Sequence, residues 1–186
     1  MQHQGTKILE TERLTLRPFA MGDAGQMFNN WANDCEVTKY LTWEAHRNID
    51  ATKEILETWI QNHDKEDFYN WAIVLKEINE PVGSISVVNQ DDNIKMVRVG
   101  YCIGRKWWNK GITSEALNAL IKFFFEEVGA NRIEAMHDPN NPNSGKVMAK
   151  CGMKYEGLLR QGGKNNQGIC DDVVYGILAE DYFKKR

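Results

Sequence analysis

The sequence predicts an α+β, or mixed α/β, fold in which helices lie against one central sheet. Three observations carry this. Helix-like and strand-like patterns interleave along the chain instead of segregating. Two stretches, one after Asn48 and one from Ser114 to Glu127, repeat apolar residues with helical spacing. Short alternating or apolar runs bounded by turn residues fall between and after them. At 186 residues the chain suits one domain, 1–186, with a sizeable core.

Taken in order, Arg13 to Arg17 alternates polar and apolar side chains and reads as a strand ended by Pro18. Asp23 is placed to cap a first helix running through Ala32. Asn48 or Asp50 can cap a second, with Ile55, Leu56, Trp59 and Ile60 on one face. Trp71 to Leu75 and Val82 to Val88 are strand-like, separated by a turn around Asn79-Glu80-Pro81. Asp91-Asp92-Asn93 is a second turn, leading into a strand from Val97 to Ile103. The Ser114–Glu127 helix follows, and its Phe123, Phe124 and Phe125 read as core packed on the sheet. Ile133 to His137 is the next strand, then comes a helix over 145–151, and two strands close the chain. Most of Trp31, Trp59 and Trp71 should fill the core, whereas Tyr40 and Trp43 sit in a polar, loop-like segment and can wall a pocket.

Composition excludes several classes of function. Charged residues make up 26% and apolar ones 42%, an ordinary balance for a globular protein. No apolar run approaches the ~18 residues a membrane helix needs, and residues 1–7 lack the apolar core of a signal peptide, so a cytoplasmic location is expected. A net charge of −3 without a basic stripe argues against nucleic-acid binding and mildly favours a cationic substrate. Cys35, Cys102, Cys151 and Cys170 are scattered with no C-x-x-C pair, so neither a zinc site nor a disulfide framework is expected, and no metal.

The most informative segment is Arg105-Lys106-Trp107-Trp108-Asn109-Lys110-Gly111-Ile112-Thr113-Ser114-Glu115-Ala116. A strand, a short glycine-bearing loop and a helix N-terminus together make an anion site, because the first helical N–H groups lack partners and the helix dipole adds partial positive charge. A phosphate or pyrophosphate is the expected guest. The spacing fits neither the nucleotide-triphosphate loop, G-x-x-x-x-G-K-[ST], nor the dinucleotide fingerprint, G-x-G-x-x-G.

What the segment resembles is the acetyl-CoA pyrophosphate loop of the GNAT acetyltransferases, [Q/R]-x-x-G-x-[G/A]. Lys106 stands for Gln or Arg, Asn109 for the first Gly, and Gly111 closes the pattern. Asn tolerates positive φ better than most residues, so the loop can survive that exchange. Gly111 to Ala116 is similar to the G-Y-A-T/S-E-A continuation of the RimJ/RimL-like branch. Asn141 and Ser144, ahead of Lys150-Cys151-Gly152-Met153, resemble its N-x-x-S … K-x-G-F segment, with Met153 where Phe is usual. Glu12 to Pro18 resembles its opening strand, Tyr40 to Trp43 with His46 its substrate-side segment, and Tyr155–Arg160 and Asp172–Leu178 its closing strands. The likeness spans about residues 8–183.

The resemblance implies a mostly antiparallel, splayed sheet flanked by helices, acetyl-CoA as cosubstrate, and direct attack of a primary amine on the thioester in a ternary complex. Tyr101, Cys102 and Ile103 of the preceding strand, then Lys106, Trp108, Asn109, Lys110, Gly111, Ile112 and Thr113 of the loop, would bind the cofactor with Asn141 and Ser144. Asn141 would hold the pantetheine arm, and Ser144, or a water it holds, would protonate the leaving thiolate; Ser144 capping its helix is the other reading. Other GNAT branches place a Tyr seven residues after the Asn, where this chain has Met148. Tyr40, Trp43 and Arg98 are the candidate substrate contacts. Many relatives carry Glu where Arg98 stands, and a cation cannot accept the amine's proton. Base candidates are Asp34, Glu36, Glu44, His46 and, foremost, His137, which ends a strand and titrates near neutrality.

A reference value bears on the acceptor. A lysine amine of pKa about 10.4 is neutral in on the order of one molecule in a thousand at pH 7, and an α-amine of pKa about 7.8 in roughly one in seven. A site without an obvious carboxylate thus fits a protein N-terminal α-amine, with a small-molecule amine (a polyamine or antibiotic) as the alternative. A same-fold rival transfers another acyl group such as succinyl, with Arg98 on its carboxylate. A rival of another class is a non-catalytic acyl-CoA sensor. Monomer and homodimer are both open, and no nucleic acid or membrane partner is expected.

Overall fold

Short runs rich in β-branched and aromatic residues supply the strands. The computed structural model describes residues 1–184. Its strands are β1 (Leu9–Glu10), β2 (Leu14–Pro18), β3 (Asn70–Leu75), β4 (Glu80–Asp91), β5 (Met96–Ile103), β6 (Arg132–His137), β7 (Lys154–Asn165) and β8 (Gly168–Leu178). They form one sheet in the order β1-β2-β3-β4-β5-β6-β8-β7. Every neighbouring pair is antiparallel except β5 and β6. The helices are α1 (Ala24–Met27), α2 (Cys35–Thr38), α3 (Ile49–Gln61), α4 (Ile112–Phe123), α5 (Pro142–Lys150) and α6 (Ala179–Lys184). The architecture is the mixed α/β, sheet-and-helix arrangement the sequence predicts.

Two cores sandwich the sheet. On one face, α4 and α5 pack Leu117, Leu120, Phe123, Phe124 and Met148 against Leu16, Trp71, Ile73, Val97 and Ile133. On the other, α1 to α3 pack Met27, Trp31 and Leu56 against Phe19, Ala72 and Val74. All six residues of β3 are therefore buried, which is why Trp71 to Leu75 reads as a continuous apolar run and not as an alternating one. Phe123, Phe124 and Phe125 are all buried, as expected of sheet-packed core.

Several boundaries depart from the sequence reading. Asp23 is the N-cap of α1 and the helical run reaches Ala32, but its side chain makes no capping bond and the run changes type on the way. A 3-10 turn, Met21–Asp23, precedes α1, and a π-helical turn, Phe28–Ala32, follows it. The Asp23 carboxylate instead accepts from the Ala20 N–H at 2.8 Å and pairs with Arg17 at 2.7 Å. Asn48, not Asp50, caps α3 by accepting from the Ala51 N–H at 3.0 Å. Helix α4 starts at Ile112, two residues ahead of Ser114, and gives way to a π-helical turn over Phe124–Val128. Pro18 is the last residue of β2, and β4, β7 and β8 extend beyond the predicted strands.

The feature that positions the site is where the sheet parts. Strands β5 and β6 pair only over Met96–Arg98 and Arg132–Glu134. Beyond that, β5 keeps β4 on its other side but has no ladder partner toward β6. By the two-residue period, Val97, Val99, Tyr101 and Ile103 face α4 and α5, and Arg98, Gly100 and Cys102 face the other way.

Candidate active site

The loop between β5 and α4 is shaped by two left-handed residues. Asn109 has φ 60° and Gly111 has φ 73°. Gly111 is the N-cap of α4 and supplies no side chain, so the first N–H groups of that helix face outward without a capping oxygen. The Arg13 guanidinium donates to the Lys110 carbonyl at 3.0 Å. In a trans peptide the next N–H points opposite its carbonyl, so that bond turns the Gly111 N–H away from Arg13. Glu115 holds Arg13 in turn, accepting from its Nε at 2.7 Å and its backbone N–H at 2.9 Å. Thr11 donates to the same carboxylate at 2.6 Å. Partial burial pushes the Glu115 carboxyl up, but the bonds from Thr11 and Arg13 and the arginine charge outweigh it, and the net shift is down. A β-carbon added at Gly111 would lie 3.6 Å from Arg13 Nη2 and 3.8 Å from Lys150 Nζ, so two cations flank the helix start.

A cavity of about 330 Å³ opens from this loop along the unpaired edge of β5. Tyr101, Cys102, Ile103, Trp108, Asn109, Gly111, Ile112 and Thr113 line one side. Asn141 and Ser144, from the β6–α5 connection and the first turn of α5, line the other, and Tyr40 closes the end. Nine sequence candidates lie outside that wall, among them the exposed Glu36 and Glu44. Lys106 sits with Nζ 5.3 Å from the Trp107 ring, and Lys110 turns to the neighbouring groove along α4. Trp43 packs on His46 with ring centroids 5.4 Å apart. His137 donates from Nδ1 to the Asp138 carbonyl at 2.8 Å and lies under Gly145 and beside Tyr175. Arg98 gives its charge to Glu134 at 2.7 Å. Glu134 also receives Arg132, which reaches Glu156, so these four charges cancel. Of the other base candidates, Asp34 pairs with Arg105 and His46 bonds Thr52.

The polar wall around Ser144 is tightly wired. Asn141 is the N-cap of α5 but makes no capping bond with its side chain. Ser144 makes no cap either. The Tyr101 hydroxyl donates to the Ser144 carbonyl at 3.0 Å, and the two hydroxyls lie 3.0 Å apart. Tyr101 spends its one proton on the carbonyl, so the Ser144 hydroxyl is the donor of the second bond. Burial pushes the Tyr101 phenol well above its usual range, keeping it protonated. Asp138 steadies the connection, accepting from Asn140 at 2.7 Å and, on its other oxygen, from Asn165 at 2.8 Å.

Sequence reasoning missed Val37, Leu41, Trp107, Ser114, Asn143, Lys146, Val147 and Lys150, which also line the cavity. Those on α5 had a signal: Lys146 and Lys150 lie four residues apart, on the helical face that Asn143 and Val147 share. Val37 and Leu41 had none, because α2 is a four-residue helix.

A left-handed loop at a helix N-terminus, a parted sheet and a hydroxyl pair meet in one cavity, the arrangement of an α/β enzyme that takes an extended anionic ligand. Residues 13–154 match the model of the acetyltransferase (GNAT) domain. The chain is 33% identical over 177 residues to the uncharacterized N-acetyltransferase p20 of Bacillus licheniformis, covering 95% of this chain and 98% of that one. It is 41% identical over 158 residues to the [ribosomal protein uS5]-alanine N-acetyltransferase of Escherichia coli, covering 82% and 80%. The crystal structure of a GNAT-family acetyltransferase from Bacillus anthracis superposes with a TM-score of 0.82 at 28% identity, covering 94% and 99%. The chain belongs to the GNAT acetyltransferase family, and its relatives include the RimJ/RimL-like ribosomal-protein acetyltransferases. It is an N-acetyltransferase that uses acetyl-CoA. Among the described residues no cluster of three candidate metal ligands occurs, and no helix is long and apolar enough to cross a membrane.

Proposed function

We propose that this protein acetylates a protein N-terminal α-amine, with acetyl-CoA lying along the unpaired edge of β5. The observation that carries the reading is the single cavity joining that edge, the Gly111 cap of α4 and the Ser144–Tyr101 pair. The first N–H groups of α4, with Lys150 beside them, suit the pyrophosphate, whose charge is stabilised by the helix dipole. An extended pantetheine arm can pair with the free groups of β5 as a further strand would, and the Asn141 side chain is free to bind its amides. Backbone donors aimed at the thioester carbonyl stabilise the charge that develops there.

Ser144 is the proposed acid for the departing thiolate. Its one proton, donated to the Tyr101 oxygen at rest, turns to the sulfur as the thiolate leaves. Arg98 does not act as a substrate-facing cation, because Glu134 neutralises it; this removes the motive for a succinyl donor. The α-amine acceptor is supported by its larger neutral fraction and by the likeness to the uS5-alanine acetyltransferase.

Free-thiol release from acetyl-CoA against a panel tests the reading. The panel holds peptides with free N-termini, lysine peptides with blocked N-termini, polyamines and aminoglycosides. Release with the free-N-terminus peptides alone is expected. Release with another class replaces the acceptor and keeps the chemistry. Binding of acetyl-CoA without release from any amine overturns catalysis in favour of a sensor.

A further inference from the structure

Among the described residues, the β5–β6–β8 face opposite α4 and α5 holds one carboxylate with no hydrogen bond or ion pair. The last β5–β6 pair is Arg98 with Glu134, and β8 continues the face with Gly176 opposite Glu134 and Val174 opposite Met136. Two residues further along β8, the same period puts Asp172 on this face, beside the mouth of the parting. A group held between β5 and β6 thus has the Ser144–Tyr101 hydroxyls on one side and this face on the other.

The other acceptors here are engaged. Glu134 takes Arg98 and Arg132, and Glu156 takes Arg132. Asp138 takes Asn140 and Asn165, and Asp171 takes the Gln161 N–H. The Asp172 side chain has no hydrogen bond or ion pair among the described residues, although the residue is half-buried. Its carboxylate fills the space a side chain on β7 would occupy: a β-carbon at Gly163 would fall 2.5 Å from Oδ2. Burial pushes its carboxyl up, Asp138 and Asp171 add to that, and Arg98 and His137 oppose it.

We propose that Asp172 is the general base of the transfer. As the acceptor nitrogen bonds to the acetyl carbon, Asp172 takes the proton that nitrogen loses. The carbon–sulfur bond breaks, the sulfur takes a proton from Ser144, water reprotonates the Ser144 oxygen, and Asp172 returns its own proton to solvent. This rests on the amine-acetylation reading above, and it supplies the base missing where Arg98 stands.

The test is the pH dependence of kcat/KM for wild type, Asp172→Asn and Asp172→Glu, using whichever panel amine the wild type acetylates, with CoA affinity and melting temperature as fold controls. General-base loss is expected to lower kcat/KM of Asp172→Asn by about 10²-fold or more, with CoA affinity unchanged. On the acid side, log kcat/KM should rise with slope near two in wild type, where amine and carboxylate both lose protons, and near one in the variant. Asp172→Glu should keep the steeper slope. In Asp172→Ala, adding Gly163→Asp returns a carboxylate to the same space from β7 and should restore part of the rate. A folded Asp172→Asn that loses less than threefold, or keeps the wild-type slope, overturns the assignment. Wild type inert toward every amine overturns the underlying reading, and the base with it.

Discussion

The two sides of the parted strands are built differently. On the α4–α5 side the groups offered are largely backbone (helix N–H groups, a left-handed glycine and the free edge of β5), joined by the Asn141, Ser144 and Tyr101 side chains. On the opposite side they are side chains brought from β5, β6, β7 and β8. Backbone groups survive most substitutions, so on the proposed reading the first side can hold the cofactor whatever side chains surround it. Side chains can be exchanged one at a time, so the second side is free to set acceptor and base. Arg98 shows that freedom: a charge reversal in a strand is absorbed by Glu134 without disturbing the β5 edge.

The sharpest way to break this contrast is Gly111→Asp. It adds a side chain at φ 73°, where non-glycine residues cost about 1–2 kcal/mol, and sets an anion at the pyrophosphate position. CoA affinity by calorimetry should fall by roughly 100-fold or more. Unchanged affinity would remove the loop from the cofactor site. Ser144→Ala comes next. It should lower kcat about 10–100-fold while leaving CoA affinity within a few-fold, because a single general-acid contribution is lost. Tyr101→Phe should cost less, since Ser144 keeps its hydroxyl and loses only its orientation. An equal or larger loss in Tyr101→Phe would shift the acid role to the phenol.

These effects differ in how far they were legible in the sequence. Gly111 and Asn109 announce themselves because positive φ is a local demand that few residue types meet. Asn141 and Ser144 are local too, set by a Pro at the start of α5. The Phe123–Phe125 run follows from helical spacing against a sheet. The partnership of Arg13 with Glu115 and the Lys110 carbonyl was invisible, since it joins β1–β2 to the α4 loop across the fold. So was the isolation of Asp172: a free carboxylate is known only when every neighbour's partner is known. His137 drew notice as a titratable strand end, but a hydrogen-bonded ring under Gly145 is a packing fact that no spacing reveals.

Arg13 tests whether the backbone side needs its brace. Arg13→Ala frees the Lys110 carbonyl and leaves Glu115 without its cation, so CoA affinity should drop about tenfold, with a larger loss for CoA than for acetyl-pantetheine, which lacks the pyrophosphate. The pH dependence has a definite sign. Glu115 has its folded pKa depressed, so its stabilisation is present above the unfolded glutamate pKa and is lost as pH falls through the folded value. Melting temperatures of wild type and Arg13→Ala should therefore differ near neutrality and converge in acid. A constant gap would mean that Arg13 stabilises by packing alone.

The smallest effect expected is at the tip of the β7–β8 hairpin, where the acceptor side is tied together. Asn166 donates from Nδ2 to the carbonyls of Thr38 at 2.8 Å and Trp43 at 2.7 Å, and its backbone N–H reaches Leu41 at 3.2 Å. Those residues bracket Tyr40 at the end of the cavity. Asn165 meanwhile binds Asp138, on the connection that carries Asn141. The tip is thus a side-chain strut between the loop of Tyr40 and the β6–α5 connection, which line the same cavity. Asn166→Ala removes two bonds worth about 1 kcal/mol each and keeps the backbone one, so the melting temperature should fall by roughly 4–8 °C. Because the Asn166 side chain holds only the loop of Tyr40 and leaves the Asn165–Asp138 bond in place, KM for the acceptor should rise several-fold while CoA affinity and kcat stay near wild type. A parallel loss of CoA affinity would show that the two sides are not independent and that the loop of Tyr40 shapes the cofactor cavity as well.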